Sequence, residues 1–288
     1  MRSIMKKCSM VVALLVSALA VVAAPLDFIP GNSVGVIAIN TDKAIDNPVL
    51  NGMFAAKANA MLKQVKLNIN DLRGDIGIGV ISNGKAVQLF CVGEFSPLTV
   101  SALRNAIAKD AAAKGRPKAV KVNGKPGFAD DKARMIFYSP TTVILQINVE
   151  GAMPFGSWRQ GGVTKGKAAH FLVAAIDFPS LLKILPPEKK QGMPPQFKDI
   201  KMVGAVVDFV NNAVTAKLTL KCKTPEACNF LVVVIDQLKA MPQSAPFVTK
   251  FRFERKGNDI EAVGSITIEE IMAAVQKASA PAAAPAAR

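Results

Sequence analysis

The chain has 288 residues, 36 of them Lys or Arg and 21 Asp or Glu, so its formal net charge is +15. Half of the residues are hydrophobic, which is enough for one large core or two smaller ones and excludes an intrinsically disordered chain. A cationic protein is attracted to lipid headgroups, acidic glycans or nucleic acid, but one Trp and one Tyr offer few surfaces for base stacking, so nucleic acid is the least favoured.

The N-terminus has the pattern of a secretory signal peptide. Arg2, Lys6 and Lys7 precede an uncharged run at 10–24, which is shorter than the roughly 20 residues that cross a membrane. Small residues before Ala24 provide a cleavage point. We expect residues 1–23 to be a signal peptide and the protein to be exported to the periplasm or outside the cell. The alternative is an uncleaved N-terminal membrane anchor.

The next part of the chain predicts a first α/β repeat at 24–150. An Asn-Gly pair at Asn83 joins two of its strands, which is the strongest short hairpin signal. Ser96 and Pro97 have the residue types of a helix N-terminus. In chain order the predicted elements are a strand at 34–40, a helix at 42–65 interrupted near Pro48, strands at 76–81 and 86–92, a helix at 97–112, and strands at 119–122, 135–138 and 142–147.

A Gly-rich linker at 151–167 leads to a predicted second repeat at 168–277. Thr224 and Pro225 stand 128 residues after Ser96 and Pro97 and start a helix in the same way. The predicted elements are a strand at 169–176, a helix ended by Pro186, strands at 201–210 and 213–222, a helix at 225–241, a hairpin of 247–255 and 260–267, and a helix at 268–277. The Ala/Pro-rich tail at 278–288 is expected to be disordered.

This element order predicts an α+β fold of two tandem β-α-β-β-α-β(β) repeats. The order is that of a ferredoxin-like sandwich, in which helices cover one face of an antiparallel sheet. Because many functions share this order, it indicates no activity.

Alternation along the strands separates two sheet faces in the second repeat. Val214 to Cys222 at even positions share one face, and Lys217 and Lys221 share the other. Lys250 and Arg252 also point away from the neighbouring Phe residues. We therefore predict a cationic, helix-free sheet face whose anion-binding candidates are Lys217, Lys221, Lys250 and Arg252, partly neutralised by Asp259 and Glu261.

In the first repeat the corresponding outward positions, Val87, Leu89 and Cys91, are apolar. A strand that is apolar on both faces needs cover on both. We expect the cover to be the 135–147 hairpin, the second repeat or a partner chain.

Three cysteines follow the signal peptide. In an oxidising compartment Cys222 and Cys228 could form a disulfide between a strand end and the next helix. Cys91 would then be the remaining free thiol. The alternative is three reduced thiols.

No motif predicts catalysis, a metal site or a cofactor. The stretch 161–168 nearly spells a phosphate loop, but Ala168 replaces the final Ser/Thr and a strand follows instead of a helix. Arg73-Gly74-Asp75 is explained as ordinary punctuation at a strand entry. His170 is the only histidine, and neither a nucleophile nor an orienting acid is placed beside it by spacing. Asp208 is unusual inside a strand and becomes a functional candidate if buried.

Three functional hypotheses follow. The first is a non-enzymatic envelope protein whose cationic sheet face meets an anionic component, with peripheral membrane contact as one form of this. The second is a carrier that holds an apolar ligand between the strand containing Gly77 and Gly79 and its covering element. The third, a hydrolase, needs a polar cluster around His170 or Asp208. The sequence leaves the oligomeric state open.

Overall fold

The computed structural model describes residues 29–30, 32–63, 66–82, 87–115, 117–148, 170–185, 190–191, 193–241, 245–271 and 273. The predicted signal peptide (1–23), linker (151–167) and tail (278–288) lie outside these residues.

Twelve strands form one continuous antiparallel sheet in the described part of the chain. In chain order they are β1 (Gly35–Asn40), β2 (Gly74–Ser82), β3 (Val87–Phe95), β4 (Lys118–Val122), β5 (Lys125–Ala129), β6 (Ala133–Phe137), β7 (Thr142–Ile147), β8 (Leu172–Asp177), β9 (Ile200–Val210), β10 (Ala213–Cys222), β11 (Phe251–Lys256) and β12 (Asp259–Thr267). Across the sheet the order is β11-β12-β10-β9-β8-β1-β2-β3-β7-β6-β5-β4.

The helices start where the sequence supplies caps. Ser96 and Thr224 accept hydrogen bonds from the amides of Thr99 and Ala227, so two long helices begin directly after β3 and β10. The helices are α1 (Thr41–Asp46), α2 (Pro48–Leu62), α3 (Pro97–Lys114), α4 (Phe178–Ile184), α5 (Pro225–Ala240) and α6 (Ala245–Val248), with 3₁₀ turns at Ile69–Leu72 and Pro195–Asp199. Among the described helices, none combines the length and apolar character that crossing a membrane requires.

The two halves of the chain meet where β1 pairs with β8, a junction that we call the seam. Outward from the seam, the first half has the order β1-β2-β3-β7-β6, and the second has the equivalent order β8-β9-β10-β12-β11. The hairpin of β4 and β5 is an addition to the first half. The fold is therefore mixed α+β with one large antiparallel sheet.

The predicted ferredoxin-like order is not found. In that order the third strand of each repeat lies between the first two, so the first strand pairs antiparallel with the third and not with the second. Instead, α1 and α2 return the chain to β2, which pairs antiparallel with β1, and β3 pairs with β7. The two predicted sheets are also joined into one across the seam.

The long helices of both halves pack on the same side of this sheet, which we call the helix face. In the first half, Val100 and Ile107 of α3 pack with Ile78 and Cys91. In the second, Leu231 and Ile235 of α5 are in one cluster with Ile260. Because residues paired across antiparallel strands point to the same side, the register connects these two surfaces into a single face.

The sequence predicts that Val87, Leu89 and Cys91 face away from the helices, and this orientation of β3 is wrong. Cys91 faces the helices, whereas Phe90 and Val92 lie on the opposite side, which we call the open face, and both are 0% exposed. The cause is the connection to the helix: Ser96 caps α3 directly after β3, whereas Lys223 separates β10 from its cap, Thr224. Strand β3 is nevertheless apolar and covered on both faces, as predicted.

The cover on the open face of β2 is the chain segment before β1. Ile29 is fully buried there, and a Cβ added to Gly79 would lie 2.5 Å from Cγ2 of Ile29 and 2.8 Å from Oγ of Ser33. The 135–147 hairpin, one of the three covers that the sequence leaves open, instead extends the sheet as β6 and β7.

Candidate functional site

The open face of the second half carries three of the four predicted cationic residues. Lys217 and Lys221 lie on β10 and Arg252 on β11, all on the side away from α5, because Lys217 pairs across β12 with Val263 and then Arg252. Lys250 lies in the turn before β11. Lys217 and Arg252 are thus neighbours across β12, separated by Val263. Lys221 lies four residues further along β10 on the same face.

Two of the four candidates are neutralised by ion pairs. Lys217 Nζ lies 3.0 Å from Glu261, and Lys250 Nζ lies 2.7 Å from Glu270. Hydrogen bonds from Lys256 and Lys217 hold the pKa of Glu261 below its usual value. The prediction that Glu261 offsets part of the positive face agrees with this geometry.

Lys221 and Arg252 make no ion pair with any residue that the structure describes. Lys221 is half-buried and lies beside three exposed lysines. Together, Lys198, Lys201, Lys221 and Lys223 form a group that we call the lysine corner. Lys201 is the extra residue of a β-bulge opposite Lys221 and Cys222.

Two hydrogen bonds to backbone carbonyl oxygens hold the lysine corner together. The amide of Lys223 donates to the carbonyl oxygen of Asp199 at 2.7 Å, and Lys223 Nζ donates to that of Lys198 at 2.8 Å. Asp199 and Asp259 are the adjacent acidic residues, and four ammonium groups outnumber them. This arrangement gives a local positive potential that attracts phosphate or carboxylate groups.

Sequence reasoning missed Lys198, Lys201 and Lys223. They lie in a 3₁₀ turn, a bulge and a strand-to-helix connection, where alternation does not apply. The signal that could have found them is the density of lysine on both sides of Lys221, combined with the pairing of β9 to β10.

Cys222 and Cys228 are buried free thiols in the structure, in direct contact at the end of β10 and the start of α5. Burial, and then the neighbouring Cys228, raises the pKa of Cys222 to about 12. Burial raises the pKa of Cys91 to about 12 as well. The bond between Cys222 and Cys228 stays a prediction, with its two sulfur atoms already adjacent.

His170 is part of a polar cluster at the seam. Its Nδ1 lies 2.6 Å from Oδ2 of Asp208, whose Oδ1 accepts from the amide of Phe171 at 2.7 Å and lies 3.6 Å from Nζ of Lys43. Within the described residues, no hydroxyl or thiol group hydrogen-bonds to the other ring nitrogen. The cluster connects α1 of the first half to β9 and to the two residues just before β8 in the second.

A second acidic position lies on the open face of the first half. Asp75 of β2 pairs directly across from Glu94 of β3, and its Oδ1 is buried without a hydrogen-bond partner. Burial, followed by the charges of Glu94 and Asp42, raises the pKa of Asp75 to about 6. In the described part of the chain, no three His, Cys, Asp or Glu side chains are arranged to hold a metal ion.

Comparison with known proteins shows a likeness of fold. No protein-family model and no curated protein match the chain. Crystal forms IV, III and I of TP0453 align with 88% of this chain at TM-scores of 0.54, 0.53 and 0.51. The alignments cover 96%, 98% and 97% of the TP0453 chain, at sequence identities of 10%, 9% and 11%. At this identity the likeness concerns the fold alone.

Proposed function

We propose that this is an exported, non-enzymatic protein of the cell envelope that binds an anionic component through the open face of its second half. The observation that carries the proposal is that Lys221 and Arg252 on that face form no ion pair within the described part of the chain, with the lysine corner around Lys221. The anionic group is the phosphate of a lipid headgroup or the carboxylate of an acidic glycan.

The shape of the face supports contact with an extended partner. It is a sheet surface with long, flexible lysine side chains, and such side chains adapt to many anionic groups as point charges. Val263, which is 55% exposed, lies in the row between Lys217 and Arg252 and adds an apolar contact. The seam places this face beside the covered open face of the first half, so the binding surface belongs to one half only.

The carrier hypothesis is less favoured, because the space beside one of its two glycines is filled. Ile29 and Ser33 occupy the volume above Gly79, where even a methyl group would collide. The hydrolase hypothesis gains the pair of His170 and Asp208, but no described hydroxyl or thiol group hydrogen-bonds to the His170 ring as a nucleophile would. We therefore propose neither.

We also infer that the two halves arose by duplication of one unit, with boundaries near 24–150 and 168–277. The equivalent strand order on both sides of the seam supports this inference. The match of Ser96 and Thr224 as caps of equivalent helices supports it further.

Binding to vesicles tests the function. The purified protein is mixed with neutral phosphatidylcholine vesicles, with vesicles that contain phosphatidylglycerol, and with soluble polygalacturonate. We expect binding to one or both anionic probes, and the affinity should fall as salt is added, because exposed charges are screened. Binding to the vesicles alone identifies a headgroup, and binding to the polymer alone identifies an acidic glycan.

A matched pair of variants separates this face from net charge. Lys221→Gln with Arg252→Gln should weaken binding by roughly tenfold or more, since each charge near an anionic surface is worth about 1 kcal/mol. Arg104→Gln with Lys109→Gln removes the same charge from exposed positions on α3 of the first half and should have a smaller effect. Equal losses in both variants, or no binding to either anionic probe, would overturn the proposal.

A further inference from the structure

The helix face of the second half has an apolar area that does not belong to the packing of the helices the structure describes. Five half-buried residues of β9, β10 and β12 lie there and belong to none of the clusters that the helices form with the sheet. We call them the apolar floor: Ala205, Val214, Ala216, Leu218 and Ile266. Helix α5 packs further along the same strands, over Leu220 and Ile260.

The chain itself arrives at one end of this floor. After β12, a helical turn at 268–271 begins, capped by Thr267, whose Oγ1 accepts from the amide of Glu270 at 3.2 Å. Glu270 in return accepts from the amide of Thr267 at 3.0 Å. This reciprocal pair is a capping box, which marks the start of a helix. The amide of Ile268 donates to the carbonyl oxygen of Asn212, in the turn beside Val214.

The contacts of this first turn fix which way the helix faces. Glu269 accepts from Asn212, and Glu270 pairs with Lys250, so both carboxylates lie on the outer side. Ile268 is 5% exposed and Ile271 is half-buried, whereas Ala273 is exposed. In a continuing helix, Ile268, Ile271, Met272 and Val275 fall on one stripe, at the spacing of an amphipathic helix.

The length of the segment matches the floor. From Val214 to Leu218 the strand runs about 14 Å, at roughly 3.4 Å per residue. A helix rises about 1.5 Å per residue, so about ten residues span the same distance. The segment 268–277 has this length, and the Pro-containing tail begins just after it.

We propose that residues 268–277 form an amphipathic helix that docks on the apolar floor. Ile271, Met272 and Val275 pack on Ala216 and Leu218 and complete the helix face of the second half. The proposed occupant of this surface is thus the chain's own C-terminal segment, whose first turn at 268–271 directly follows β12. The small side chains at Ala205 and Ala216 allow a helix to approach the sheet closely.

Thiol labelling in the full-length protein tests the docking. Ala216→Cys places a thiol on the floor of a protein in which Cys8 is replaced by Ser, while the native Cys91, Cys222 and Cys228 are buried. We expect slow labelling of the introduced thiol by a maleimide. Adding Met272→Asp and Val275→Asp should accelerate it more than tenfold. The control, Ala273→Asp on the outer side of the helix, should leave the rate unchanged.

Each other outcome overturns the proposal. An equal rate in all variants shows that the segment does not cover the floor. Protection that depends on protein concentration, with a dimer in sedimentation, assigns the floor to a second copy. Protection that disappears on delipidation, with an additional mass in native mass spectrometry, assigns it to an apolar ligand. Circular dichroism checks that every variant keeps its fold, so a lost fold is not mistaken for an open floor.

Discussion

Asp75 carries a carboxyl group whose protonation favours the folded state. Its pKa is about 6 in the folded protein against a usual 3.8, mainly because of burial and then of Glu94 and Asp42. The folded state therefore binds the proton more tightly than the unfolded state. This contribution to stability is fully present below pH 3.8 and is lost as the pH rises through 6.

We predict that Asp75→Asn stabilises the protein at pH 7. The gain should be about 1 kcal/mol, well below the full equivalent of the pKa difference, because the side chain is only half-buried and solvent screens it. Urea denaturation at pH 4 and pH 7 measures the change, which should be small at pH 4. Asp236→Asn, on the exposed surface of α5, should show no such pH dependence.

Asp208 holds the seam through three contacts at once. Removing its carboxylate leaves the amide of Phe171, the ring of His170 and the ammonium of Lys43 without their common partner. We predict that Asp208→Ala lowers the free energy of unfolding by about 1–3 kcal/mol, the range for hydrogen bonds to charged groups. Asp236→Ala, which loses one exposed ion pair, should cost less than about 1 kcal/mol. Equal effects would show that the cluster does not stabilise the seam.

The role of Asp208 could be anticipated only in part. A carboxylate in an otherwise apolar strand indicates a charged or hydrogen-bonding partner, and for that reason the sequence analysis names Asp208 as a candidate. The partner, His170, is 38 residues away, and no spacing rule connects the two. Long-range pairing of β8 with β9 brings them together.

At the scale of elements, Gly79 shows how closely the segment before β1 packs on β2. We predict that Gly79→Ala lowers stability by about 1–3 kcal/mol, the usual cost of overpacking a filled site. Gly52→Ala is the matched control, because a Cβ there meets nothing within 4 Å and Ala favours a helix by roughly 0.5–1 kcal/mol. Thermal denaturation of both variants measures the difference. A neutral Gly79→Ala would show that Ile29 is displaced without cost.

Elements with a strong local signal were predicted well. The strand at 213–222 coincides with β10, and the helix predicted at 97–112 is α3 with two more residues at its end. Strand β5 was missed, because Pro126 and Gly127 are typical of a turn. Gly127 is needed there, since a Cβ would collide with the backbone of Met135. The orientation of β3 failed because alternation gives two faces but does not say which one the helices cover.

At the scale of the whole molecule, one sheet passes through both halves. Strand β1 is hydrogen-bonded to both β2 and β8, so neither half can unfold without exposing an edge of the other. We predict a single cooperative unfolding transition in urea, with Gly79→Ala shifting the protection of β10 amides as well as those of β2. Hydrogen exchange followed by mass spectrometry reports both regions. Separate transitions would show that the seam is weak.

This continuity could not be predicted from the sequence. Local pattern predicted the strands on each side, but nothing in the residues of β1 or β8 specifies that they pair with each other. The same limit applies to the candidate site. Alternation placed Lys217, Lys221 and Arg252 on the open face, whereas the ion pair of Lys217 and the approach of Lys201 to Lys221 depend on register.

The seam joins equivalent strands, and it joins them antiparallel. A contact in which one surface meets its own equivalent is what a two-fold axis produces between identical subunits. Before the proposed duplication, a single unit would have carried the same edge and could have closed it only with another copy of itself. The present chain would then correspond to a fused homodimer. Fusion freed each copy to diverge, which accounts for a charged outer surface on one side of the axis and an apolar, covered one on the other.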